Sequence, residues 1–170
     1  MELELTTPHH VTVGYTGVPG GRTFFLQAED LEVRVTLLLE KGQIEGLGEL
    51  LGQLLTRVGD EPATDWDHDA MALREPIDPR FRVGQIGFGF DPDAERFVLE
   101  LTEITADEDD DDAADQLRIW LDRDQARRLA AHAVEVVAQG RPRCELCGRP
   151  TGPDGDHVCP SSNGHGRLTR

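Results

Sequence analysis

Three strand-like runs followed by one amphipathic helix occur twice in this chain, and few architectures accommodate that order. In the first occurrence, residues 10–16 (His-Val-Thr-Val-Gly-Tyr-Thr) alternate apolar and polar as a half-buried strand does. Gly17-Val18-Pro19-Gly20-Gly21 is a turn. Residues 22–28 and 32–40 read as the second and third strands. Over 41–58 the period changes: Ile44, Leu47, Leu51, Leu54 and Val58 fall on one helical stripe. Gly42, Gly46, Gly48 and Gly52 interrupt this helix, each at a cost of up to about 1 kcal/mol in propensity. Packing must therefore hold it, and Gly48 and Gly52 border the stripe where close approach to a sheet is expected.

The second occurrence follows a stretch rich in proline and acid, residues 60–79, that reads as a linker. Strands are expected at 81–90, 96–105 and 116–121, with the acidic loop 106–115 before the last. A helix is expected over 123–139. Asp122 and Gln125 are spaced as a capping box at its start, and Gly140 and Pro142 stop it. Its apolar face is Ala126, Leu129, Ala130, Ala133 and Val137. An offset of 82 superposes Val35, Leu37 and Leu39 on Leu117, Ile119 and Leu121, and Gln43 on Gln125. Internal duplication accounts for these matches, and so does the chance similarity of any two strand–turn–helix segments. The expected architecture is α+β: two three-stranded antiparallel units, about 1–60 and 80–140, each closed by a helix. Residues 1–140 form the body, and 141–170 a zinc-ribbon-like appendix.

The appendix is defined by its ligands. The chain has 3 cysteines, all after position 143, and they arrive with a histidine as Cys144-x2-Cys147 and His157-x-Cys159. Zinc takes four N or S donors at about 2.0–2.3 Å in a tetrahedron, and Cys3His is such a set. Gly148 eases the turn behind the first pair, and the second pair can face one side of an extended segment. Four protein ligands leave no position for water or substrate, which makes the site structural. The competing reading of Cys144 and Cys147 is a redox pair. Redox motifs of this spacing open a helix, and Gly148-Arg149-Pro150 is poor helix material. A catalytic zinc would lack one of the four; His157 is then the ligand to replace, and His165 the substitute.

The remaining composition excludes several classes. A net charge of -16 opposes binding to phosphate backbones, so no nucleic-acid partner is expected. No apolar run approaches the ~20 residues of a membrane span. The N-terminus has no basic or apolar leader pattern, and an odd cysteine count beside a histidine fits a reducing compartment; the cytoplasm is expected.

Three segments resemble one family. Gly17-Val-Pro-Gly-Gly-Arg22-Thr-Phe-Phe-Leu-Gln27-Ala28, Phe81-Arg-Val-Gly84-Gln-Ile-Gly87 and Gly140-Arg-Pro-Arg-Cys144-Glu-Leu-Cys147, followed by His157-Val-Cys159 and Asn163-Gly164, are similar to an actinobacterial family of uncharacterised proteins, domain of unknown function 3090. The resemblance covers nearly the whole chain and implies no established reaction. It implies gene neighbours that resemble a histidine phosphatase and phosphatidylinositol kinases. This chain departs from the family pattern at His9-His10, where an Asp-Arg pair is usual.

Other candidates are weaker. Gly84-x-x-Gly87-x-Gly89 lies in a strand with no helix following it, which suits close backbone packing rather than a dinucleotide. Gly20-Gly21-Arg22 could present Arg22 to an anion, with a plain hairpin turn as the simpler reading. Asp65, Asp67, His68 and Asp69 could bind a divalent cation or form a solvated loop, and Asp107–Asp112 reads as a hydrated loop. Two functions compete. The leading one is a non-catalytic zinc-binding adaptor with a protein partner, such as the phosphatase-like or kinase-like neighbours. The alternative is a metal-dependent hydrolase of a phosphorylated small molecule, using the carboxylates of 65–69 with Arg22 or Arg82.

Overall fold

The computed structural model describes residues 2–105, 114–139 and 146. Seven strands form one sheet: β1 (Glu2–Leu5), β2 (His10–Thr16), β3 (Thr23–Glu29), β4 (Arg34–Leu39), β5 (Pro79–Asp91), β6 (Arg96–Glu103) and β7 (Gln116–Leu121). Helix α1 (Lys41–Arg57) follows β4, and α2 (Arg123–Ala138) follows β7. The spatial order is β1-β7-β6-β5-β4-β3-β2.

This corrects the expectation of two separate three-stranded antiparallel units. β4 and β5 pair in parallel, with Thr36 opposite Pro79 and Leu38 opposite Arg82, so the chain has a single mixed sheet. A seventh strand, β1, adds in parallel to β7, with Leu3 opposite Leu117 and Leu5 opposite Ile119. The reason is physical. Two separate units would each expose an inner edge of unpaired N–H and C=O groups. Joining them satisfies those groups and merges two small cores into one. That core runs continuously from Leu26 and Leu37 to Leu101, Leu117 and Ile119. Apart from Leu146, the expected zinc-ribbon-like appendix, with Cys144, Cys147, His157, Cys159 and His165, lies outside the described residues, as does Asp107–Asp112.

The helices pack against each other and against one face of the sheet. α1 buries Ile44, Leu47, Gly48, Leu51 and Leu55. The close approach made by Gly48 is to α2, not to the sheet: a Cβ there would sit 3.2 Å from Ala133 Cβ and 3.3 Å from the Ala130 carbonyl oxygen. Both helices start with a capping box, Glu40 with Gln43 and Asp122 with Gln125. Each box glutamine also donates to a carbonyl of a flanking segment, Gln43 Nε2 to Val83 (3.0 Å) and Gln125 Nε2 to Pro8 (2.6 Å). Among the described residues, no helix is long and apolar enough to cross a membrane.

The stretch read as a linker wraps an edge of the sheet. β2 is that edge, and the segment after α1 starts on the helix side, where the Ala63 amide donates to Arg127 O at 3.0 Å. It then passes round β2. Thr12 Oγ1 donates to Met71 O. A Cβ on Gly14 would meet Leu73 Cγ at 2.8 Å, so any other residue there would have to displace the Leu73 side chain. On the face away from the helices, Gln27 is fully buried and clamps Arg74: its Nε2 donates to Arg74 O at 2.9 Å and its Oε1 accepts from Arg74 N at 2.8 Å.

Candidate functional site

Two adjoining clefts flank the β2 edge, between the wrapping segment and α2, and share Met71. The first, about 280 Å³, is lined by His9, His10, Asp65, Trp66 and Arg128 among others. The second, about 340 Å³, is lined by Tyr15, His68, Leu73, His132 and Gln139 among others.

α2 aims His132 at this edge because the residue lies one turn beyond Leu129, which is buried in the core. His132 is only 8% exposed. Its Nε2 lies 3.0 Å from Val13 O. A carbonyl only accepts, so Nε2 carries the proton and Nδ1 of the neutral ring offers a lone pair. That Nδ1 is buried with no hydrogen-bond partner among the described residues. Burial pushes the His132 pKa down, which favours the neutral ring. Glu135, one turn further along, places Oε2 3.3 Å from His68 Nδ1, a close contact without hydrogen-bond geometry. One ligand atom from each of His68, His132 and Glu135 lies within 4.8 Å of the others. Trp66 walls the group, its ring 5.1 Å from that of His68 and 6.4 Å, edge-on, from that of His132. Such a group can share a proton or hold a cation.

The first cleft is different. His10 is 4% exposed, and its Nε2 has no hydrogen-bond partner among the described residues. Burial, with the charge of Arg74 second, pushes its pKa down to about 4. Beside it Glu29 is held at about 2, chiefly by the Arg34 hydrogen bond (2.8 Å).

The residues singled out in the sequence separate. Asp65 and Asp67 line the first cleft, but Asp67 Oδ1 accepts from the Asp69 and Ala70 amides and so caps a short turn at Asp69–Met71. His68 turns to the second cleft and to Glu135. Arg22 stacks on Tyr15, its guanidinium carbon 3.9 Å from the ring centroid. Its loop is a hairpin turn closed by Gly21 N donating to Val18 O. Arg82 pairs with Glu40 and lines neither cleft. His132 and Glu135 escape the sequence reading. The His-x-x-Glu spacing on one helical face is a signal for them, but their third member, His68, is distant in sequence.

No curated protein and no solved structure matches the chain. A family model does match, over residues 3–159, a span that includes Cys144, Cys147, His157 and Cys159. The chain belongs to that family, the proteins of unknown function DUF3090.

Proposed function

We propose that this protein is an adaptor whose partner binds across the C-terminal segment and the cleft-bearing β2 edge. One observation supports the reading above the rest. Gln139, the residue that follows α2, lines the second cleft and accepts the Tyr15 hydroxyl at 3.0 Å. Gln139 at the cleft is followed in sequence by the segment that carries Cys144, Cys147, His157 and Cys159. One structural zinc on those four ligands would order a segment too poor in apolar side chains to fold alone. Arg141, Arg143 and Arg149 would give it a sign opposite to the acidic body, and the complement is an acidic patch on a protein such as a phosphatase-like or kinase-like neighbour. The hydrolase alternative needs Arg22 or Arg82 among the carboxylates of 65–69. The pairing of Arg82 with Glu40 and the capping role of Asp67 weigh against it. Deleting 141–170 tests the adaptor reading. The truncated chain should stay folded and lose the partner that co-purifies with the full chain. Retention of every partner by the folded truncation would overturn it.

A further inference from the structure

We propose that His68, His132 and Glu135 form a metal site for one divalent cation of the zinc class, separate from the cysteine-rich set and open to the second cleft.

The argument begins with His132. A metal-binding histidine usually donates its other ring N–H to a carbonyl or carboxylate, which fixes tautomer and ring orientation. Val13 O does this for His132 and leaves Nδ1 as the ligand atom. An acceptor that is buried and unpaired among the described residues, on a residue that lines the second cleft, calls for a partner, and a cation supplies one. Glu135 stands three residues along the same helix, so it and His132 share a face. His68 comes from the wrapping segment, and its side chain, 62% exposed, forms the outer side of the group. The mutual distances, within 4.8 Å, need only a small closure to bring three donors to about 2.0–2.2 Å from one centre.

Donor type selects the ion. Two imidazoles and one carboxylate suit zinc and its neighbours, whereas magnesium and calcium take oxygen ligands. Three protein ligands leave at least one position unfilled, and two of the three residues, His68 and His132, line the second cleft. That position suits water or an anionic oxygen of a bound ligand. The Trp66 ring, which lines the first cleft, packs on His68, and its buried Nε1–H has no hydrogen-bond partner among the described residues.

The thiolates at 144, 147 and 159 would compete in any metal measurement, so the test removes them. Full-length protein with Cys144→Ser, Cys147→Ser and Cys159→Ser is stripped with chelator and titrated with zinc. One equivalent should bind. His68→Ala and Glu135→Gln, in that background, should each weaken binding at least tenfold while circular dichroism stays unchanged. Cobalt should give visible d–d bands without thiolate charge transfer. Where the serine variant does not fold, His68→Ala in the native chain serves instead and should lower the zinc content by one equivalent. The proposal is overturned if folded serine variant takes up no zinc at micromolar concentration, or if His68→Ala and Glu135→Gln bind as tightly as their parent.

Discussion

His132 Nε2 and the carbonyl oxygen of Val13 lie 3.0 Å apart, so a helix side chain caps the backbone of the sheet's last strand. Val13 is fully buried. An edge carbonyl that is shielded from water must find a donor within the protein. His132 therefore has a structural duty besides any ligand duty, and the two separate by experiment.

His132→Phe keeps an aromatic ring but leaves Val13 O without that donor. Stability should fall by about 1–3 kcal/mol in urea denaturation with chelator present, the cost of a buried polar group left unpaired. An unchanged midpoint would mean that Thr12 Oγ1, 3.2 Å from this carbonyl, or water replaces the His132 donor.

Two glycines of α1 should respond in opposite directions. Nothing lies within 4 Å of a Cβ at Gly46, so Gly46→Ala should stabilise by about 0.5–1 kcal/mol through helix propensity alone. At Gly48 a Cβ would press on Val134 Cγ2 (3.1 Å), Ala133 Cβ and the Ala130 carbonyl, and a backbone atom gives way poorly. Gly48→Val should destabilise by about 1–3 kcal/mol. Thermal melts of the two variants check both signs; a stabilised Gly48→Val would mean that the helices separate readily.

His10 should make the fold sensitive to mild acid. Its pKa is about 4 in the folded chain against an ordinary 6.5. Between those values the unfolded chain holds more protons, so stability falls as pH drops from about 6.5 to about 4 and levels off below. The loss from His10 is on the order of 2–3 kcal/mol, at about 1.4 kcal/mol per pKa unit. Glu29 acts in a lower window, from its ordinary 4.5 down to about 2. His10→Gln should make the upper window shallower, with the part due to His132 remaining, and leave the lower one. Parallel pH profiles of parent and variant would refute the assignment.

Local periodicity made the helices legible: the stripes over 41–58 and 123–139 place their ends within a residue of those observed. Sheet order was not legible in the same way. The pairing of Leu38 with Arg82 joins distant segments and leaves no periodic trace in either. β1 has the alternation Glu-Leu-Glu-Leu, but four residues are too few to stand out from chance. Gly48 signalled a close approach without naming the partner, because a missing side chain fits a helix as well as a sheet. The His132 group was hidden for a related reason. A buried histidine reads as part of an apolar face until the strand edge and the wrapping segment are placed beside it.

Gln27 links the fold to that group. Its buried amide holds the backbone of Arg74, an exposed residue, by two part-buried hydrogen bonds and Thr36 Oγ1 by a third, buried one (3.1 Å). Arg74 is the far anchor of the segment that carries Trp66 and His68 round β2; Thr12 bonded to Met71 O is the near one. Gln27→Leu fits the volume roughly but leaves the Arg74 N–H and C=O without these partners. The variant should lose about 1–3 kcal/mol of stability: a fully buried group stripped of its partner costs about 1–3 kcal/mol, these two are part-buried, and the effects overlap. Amide exchange at Arg74 should quicken. With its anchor gone, His68 is held less firmly opposite Glu135, so zinc affinity should fall although no ligand has changed. Measuring exchange and zinc binding on the same variant checks the link. Faster exchange at Arg74 with zinc affinity unchanged would mean that Thr12 and Asp67 suffice to position His68.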